Sequence, residues 1–350
     1  MLTKHIECSG LLFRVIETIP LIGSTPNHSP FVSTTKVEKY FVIQQEFLTM
    51  HCIKRCFDKI MHVLTDVLGE KFPLNGNIHR PGPKPLFSDI NVIALSITAE
   101  CLGIDSELNL FKKIETDYVT QFPNIISRRQ YNDRRKSLFP WQEIIRAKMA
   151  DKLNEIMEVF AIDSMPIEIC KLSRMDRNKI GQDREYTAPD KGYCASQDRW
   201  YYGYKLHAAC APNGVIKSFD LSKASIHDVN FLKDVSHVFR ECIITGDRGY
   251  INKEIKDDLW KKKGICMEVP ARSNQKDKPK VLYVLKRIRK RIETVFSQLC
   301  DQFNIQRNYA KSFRGLKTRI LAKVSGMTVL QYYNFINGRP IGKIKSALGV

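Results

Sequence analysis

Near residue 158 the hydrophobic pattern changes period, and this constrains the fold more than any other feature of the chain. EVFAIDSMPIEI, WYYGYKLHAACA and GVIKSFDLS have the alternation and β-branched content of three strands. A polar stretch from Ser173 to Asp198 separates the first two. Ser225 to Asp228 has capping-box spacing and opens a helix through Phe239. ECIITGD then reads as a fourth strand, INKEIKDDLWKKK as a helix and ICMEVPAR as a fifth strand, before a long helix from about Lys280 to Phe303. Three strands in this order can pair as a meander, while the last two need helical crossovers. The pattern predicts an α/β fold built on a mixed five-stranded sheet with flanking helices.

Upstream the period is helical. IMHVLTDVL keeps apolar residues three to four apart, RPGPKP breaks the chain, and Ser88 or Asp89 caps INVIALSITAECL. In SRRQYNDRRKSLF, Ser127 is a good N-cap, and Arg128, Arg129, Arg134, Arg135 and Lys136 crowd the following turns. Two readings stand side by side: a helix contacting DNA in a helix-turn-helix-like region, or the solvated basic face of a bundle helix. Residues 1–49 show no sustained period and are expected to be a poorly ordered extension, so that a chain starting at Met50 should fold and act like the longer one. The expected organisation is therefore 1–49 extension, 50–150 small helical DNA-binding region, 155–335 catalytic α/β domain, and 336–350 tail.

Charge narrows the partners. Lys and Arg total 56 against 37 Asp and Glu, a formal net charge of +19 spread along the chain. Polyphosphate is the natural counterpart of such a surface. No 18-residue apolar run and no basic amphipathic anchor points to a membrane. The ten cysteines are scattered without a C-x-x-C pair, which argues against zinc and for reduced thiols in a cytoplasmic protein.

Against that basic background two carboxylates stand out. Asp163 in VFAIDS and Asp247 in IITGDRGY each follow an apolar run, so each should lie at or near the carboxyl end of a buried strand, the edge where open α/β sheets bind ligands. Two carboxylates brought together repel unless a proton or cation lies between them, and a hard divalent ion that shares oxygen ligands with phosphate is the economical choice. In the last helix Leu285, Ile288, Ile292, Val295, Phe296, Leu299 and Phe303 form one stripe. Glu293 projects roughly 100° from its middle, at the border of the core face. Arg289 and Lys286 share its side, whereas Arg287 and Arg291 are expected to face solvent.

Asp163, Asp247 and Glu293, on first strand, fourth strand and last helix, resemble the DDE triad of RNase H-like transposases. YYGYKLH, SIHDVNFL, TGDRGY and RIETVFSQL are similar to bacterial insertion-sequence transposases, with insertion-sequence family 982 as the nearest, over about residues 158–335. The resemblance implies that the three carboxylates are catalytic metal ligands for Mg²⁺, with Mn²⁺ as a substitute. One ion would activate water or a 3′-hydroxyl and the other would stabilise the leaving oxygen. It implies DNA partners, both terminal inverted repeats and target, a homodimer or higher oligomer on DNA, and a nucleoid-associated location. Related transposases often carry Tyr-x2-Arg-x3-Glu-x6-Lys around the glutamate; here Arg289 and Glu293 fit, but Lys286 and Cys300 occupy the outer positions. Gly246 and Gly249 are expected to turn the backbone away and leave room for the scissile strand. Lys205 and His207 share a strand face from which they could approach DNA, while Asp228 reads as a cap partner more than a ligand. Two alternatives remain open: an RNase H-like nuclease without strand transfer, and a DNA-binding protein whose catalytic centre has decayed.

Overall fold

A computed structural model describes residues 52–69, 75–271 and 282–347; the expected N-terminal extension lies outside them. Helix α1 (Ile53–Leu68) is amphipathic and leads to α2 (Asp89–Cys101), which Ser88 caps by accepting from the Asn91 amide. Ser106 caps α3 (Glu107–Asp117) in the same way, and Ser127 with Gln130 forms a full capping box on α4 (Arg128–Ser137). Helix α5 (Phe139–Leu153) completes this series.

The sheet strands follow as β1 (Val159–Cys170), β2 (Asp190–Cys194), β3 (Arg199–Cys210), β4 (Ile216–Lys223), β5 (Ile243–Thr245) and β6 (Cys266–Glu268). Helix α6 (Phe231–Val238) lies between β4 and β5, and α7 (Lys253–Lys263) between β5 and β6. The order across the sheet is β2-β3-β1-β5-β6, with β4 also on β3. β2 and β4 share one edge of β3, β2 along Arg199–Gly203 and β4 from Tyr204 to Cys210. The five predicted strands are all present, antiparallel across β1, β3 and β4 and parallel across β1, β5 and β6. The expected count of five becomes six, because DKGYC in the polar stretch closes a hairpin onto β3. This curled, mixed α/β sheet with flanking helices is consistent with the RNase H-like fold.

Period-two alternation divides the core. Val159, Ala161, Met165 and Ile167 of β1 pack into the larger apolar cluster, and Phe160 and Ile162 into a smaller one with Phe231, Leu232, Val235 and Leu259. The larger cluster runs continuously from Ile53 through one sheet face to Ile344. Helix α8 (Tyr283–Phe303) buries all seven predicted stripe residues there and packs on β1, β3 and β5.

Helix α9 (Phe313–Ile336) is the element that sequence periodicity does not reveal. It is buried on nearly every side, against α1, α2, α4, α5, α8 and β4, so no polar face marks a period. Its Lys323 ammonium is fully buried with Glu100 of α2 at 2.5 Å and donates a second hydrogen bond to the Phe303 carbonyl at 2.7 Å. A short helix α10 (Ile344–Ala347) buries Ile344 and Ala347 in the segment expected to be a tail.

Candidate active site

The register of two parallel strands builds the site. β1 and β5 pair as Val159↔Ile243, Phe160↔Ile244 and Ala161↔Thr245. Asp163 and Asp247 each stand two residues beyond that last pair, and neighbouring strands lie about 4.8 Å apart, so equal offsets set the two carboxylates side by side. β1 itself continues to Cys170, paired with β3, with Asp163 opposite Ala208. Asp163 therefore lies within its own strand, and the expectation that it sits at or near the carboxyl end is corrected. It lies where the parallel neighbour stops, which gives the same open edge.

Around this pair the chain supplies few donors. Asp163 accepts from the Ser164 amide at 2.8 Å, and Asp247 caps a tight turn by accepting from the Gly249 amide at 2.8 Å. A Cβ on Gly249 would lie 3.0 Å from Asp247 Oδ1 and 3.5 Å from Asp228 Oδ2. One on Gly246 would lie 3.0 Å from the Tyr250 ring and 3.1 Å from Ile162. Neither glycine has positive φ. The chain does turn here, at Arg248–Tyr250 with Asp247 as its cap, and the lack of a side chain on each glycine admits these neighbours.

Asp228 joins the cluster. His227, and not Ser225, caps the turn before α6, accepting from the Val229 amide at 3.2 Å. That leaves the Asp228 carboxylate to accept from Ser164 Oγ at 3.1 Å and Lys205 Nζ at 2.9 Å. Burial, reinforced by the charges of Asp228, Asp163 and Asp247, pushes the Tyr250 hydroxyl well above its ordinary value. Burial raises the Asp163 carboxyl to about 7, helped by the charges of Asp247, Asp228 and Glu293 and opposed by the Ser164 amide. Four carboxylates thus act on one another at this edge with Lys205 as the ammonium bonded among them.

Glu293 reaches the edge from α8, exposed and weakest of the three charges acting on Asp163. Arg289 is half-buried one turn before it, and among the described residues no ion pair joins the two. Lys286 and Arg287 are exposed. Arg291 departs from expectation: it turns inward, donates to the Asn213 carbonyl at 3.0 Å and packs against Gly214 and Gly342.

The other predicted contacts divide sharply. Arg128 and Arg129 are exposed. Arg134 bridges to the fully buried Asp89 at 2.5 Å, and Arg135, 4% exposed, pairs with Glu107 at 2.8 Å. These two hold helices together, so the expectation of four arginines facing DNA is corrected to two. Lys205 spends its ammonium on Asp228 and the Ile226 carbonyl. His207 is 2% exposed, stacks on Phe231 and bonds Ser222 Oγ at 2.8 Å, so burial removes it from any DNA surface. Tyr201, Tyr202 and Tyr204 are buried as well.

Among the described residues, no three His, Cys, Asp or Glu side chains converge tightly enough to form a metal site by geometry. By chemistry the cluster does suit one, since every donor is a carboxylate oxygen and the local negative charge is in excess. No helix among the described residues is long and apolar enough to cross a membrane.

A sheet of this topology, with paired aspartates beyond its parallel strands and a helix glutamate on the same edge, is consistent with the RNase H-like fold. Residues 155–327, just under half of the chain, match the family described as Transposase DDE domain, which supports a DDE transposase family. No curated protein and no solved structure matches the chain.

Proposed function

We propose that the protein is a transposase that binds the ends of its own insertion sequence and catalyses metal-dependent strand cleavage and strand transfer. The observation that carries this reading is the common register of Asp163 and Asp247, with Glu293 and Asp228 acting on the same edge. The family match spans all four residues, and insertion-sequence family 982 is the subgroup we favour. Residues 155–335 carry the chemistry, residues 50–150 contribute recognition of the ends, and 336–350 close the fold as a tail.

Asp163, Asp247 and Glu293 would hold divalent cations, Mg²⁺ or Mn²⁺. When bound, these would supply Lewis acidity to the phosphodiester and lower the pKa of the attacking water or 3′-hydroxyl. Lys205 and Ser164 both donate to Asp228, which limits how far that loop can move from Asp163. Arg289, half-buried and without an ion pair to Glu293 among the described residues, would hold a phosphate oxygen next to the cut. DNA is the substrate and partner, and joining two ends calls for a dimer or higher oligomer, with the protein residing on the nucleoid.

The test is to incubate the full chain with Mg²⁺ and a duplex carrying the inverted repeat that flanks its own gene, together with a target plasmid. Cleaved ends covalently joined to plasmid are the expected products. Cleavage without joining would leave the RNase H-like nuclease in its place. Neither product, at any divalent ion, would overturn the catalytic reading.

A further inference from the structure

A basic cleft of about 560 Å³ lies apart from the acidic edge, between α4 and the segment entering α9. Arg128, Arg135 and Lys136 of α4 line one side, and Lys311 and Arg319 the other. Asp105 and Glu107 are the acidic residues on its walls, so five cations face two anions. Lys136 also lines an adjoining hollow of about 280 Å³ with Arg314 and Lys317, which extends the positive track towards β4.

Two independent features point to an anion here. The N-terminus of the 24-residue helix α9 opens at the cleft, where Ser312 caps only the Gly315 amide. The first amides of a long helix attract negative charge and can bond phosphate oxygens. Arg319, 6% exposed, gives one nitrogen to the Asp105 carbonyl while its Nη1 has no hydrogen-bond partner among the described residues. Arg135 likewise pairs with Glu107 through one nitrogen and leaves Nε without an acceptor. Buried guanidinium charge beside a helix N-terminus, with more cations than anions on the cleft walls, favours an anion there. Exposed Tyr309 lies with its ring 5.8 Å from the Arg319 guanidinium and forms a firm wall.

Position relates this cleft to the edge. Phe313, the first residue of α9, packs its ring on Tyr204 of β3 at 5.1 Å, and Ala208 of the same strand pairs with Asp163. Four strand residues separate these points, about 14 Å, or roughly four base steps along one DNA strand at 3.4 Å each.

We propose that this cleft binds the phosphate backbone of duplex DNA, holding the helix on one side of the cutting edge without reading its sequence. The inference rests on the DNA-processing role above and adds the surface that positions the substrate.

The test uses the full chain and a labelled duplex of about 30 base pairs of arbitrary sequence, with affinity measured between about 50 and 200 mM salt. Arg128 and Lys311 are exposed, so the double variant R128Q/K311Q should keep its melting temperature. It should weaken binding at least tenfold, to a similar degree for unrelated sequences, and reduce the slope of log affinity against log salt by about two. The charge-conserving R128K/K311R should restore most of both, and K261Q on α7, remote from the cleft, should change neither. The duplex should also protect Lys311 from amine acetylation. Unchanged affinity and slope in R128Q/K311Q, or no protection of Lys311, would overturn the proposal even if the protein cuts and joins DNA. Loss of slope in a protein that never cleaves would uphold the cleft and sink the catalytic reading alone.

Discussion

At the β1–β5 edge four carboxylates meet with Lys205 as the cation bonded among them, whereas α4 brings five cations to a surface that answers with Asp89 and Glu107. In sequence the α4 cations form a run broken only by Asp133, whereas the edge carboxylates are scattered from Asp163 to Glu293. In α4 the answer is structural: Arg134 pairs with the buried Asp89 and Arg135 with the half-buried Glu107, which ties α4 to α2 and α3. At the edge the partners are withheld, and Asp163 takes a raised pKa instead of an ion pair. A run of one sign therefore says little until its partners are counted. The excess that no partner cancels is what marks a site for charge brought from outside.

The most severe way to break this contrast is to remove one edge carboxylate. Asp247→Asn should lower strand cleavage at least a thousandfold, about 4 kcal/mol of transition-state stabilisation, with duplex binding little changed. Mg²⁺ should raise the melting temperature of the parent protein and not that of the variant, since a ligand stabilises only a state that binds it. Normal cleavage by the variant would end the comparison.

On the other side, Arg135→Met should act on stability. It leaves Glu107 without its buried partner, and breaking such a pair costs about 3–5 kcal/mol. Arg129→Gln, exposed on the same helix, should stay within about 0.5 kcal/mol. Denaturant titration of both variants checks this; equal losses would mean that partner count does not separate structural from surface arginines.

How far the sequence reveals these two regions depends on period. Alternation exposes the five strands, and the 3.6-residue stripe of α8 is buried residue for residue as predicted. Register is another matter. That Asp163 and Asp247 stand equally far past Ala161↔Thr245 depends on pairing between strands that no local pattern encodes. Helix α9 escapes because burial on every side erases periodicity, and β2 because five residues in a polar stretch carry too little signal. Asp228 follows a histidine that takes over the capping role, freeing its carboxylate for the edge. In α4 a cue is present: Tyr131 lies three and four residues before Arg134 and Arg135, so with the one aromatic of that helix inward these two turn inward with it. Arg291 gave no comparable sign, since its partners lie in the 213–214 turn and near Gly342.

A subtler contrast lies in how two buried groups titrate. The Asp163 carboxyl is raised from 3.8 to about 7, chiefly by burial, so the stability linked to it is full below about pH 4 and lost as pH rises through 7. The His207 imidazole is lowered from 6.5 to about 4, again chiefly by burial, so its contribution is full above about 6.5 and lost as pH falls towards 4. Between about pH 4 and 6.5 the two trends oppose one another in metal-free buffer. His207→Gln should reveal stability that declines as pH rises, and Asp163→Asn stability that increases. Denaturation midpoints across that range decide it; variants that keep the parent profile would mean neither group is as buried as described.

The smallest expected effect concerns Arg289. An arginine four residues before a glutamate on a helix ordinarily forms a surface ion pair worth at most about 1 kcal/mol, and such a pair would make Arg289 irrelevant to chemistry. Among the described residues that pair is absent, and Arg289 is half-buried on the Glu293 side of α8. If it holds a phosphate oxygen during the reaction, Arg289→Ala should reduce cleavage about tenfold, or 1.4 kcal/mol, with the melting temperature held. Arg287, exposed and about 200° round the helix from Arg289, is the proper control and should change cleavage less than twofold, roughly the effect of a distant screened charge. Arg291 cannot serve as a second control, because Arg291→Ala removes the bond to the Asn213 carbonyl and should lower stability before it touches catalysis. Equal losses from Arg287 and Arg289 would show that diffuse positive potential, and not a placed guanidinium, assists the cut.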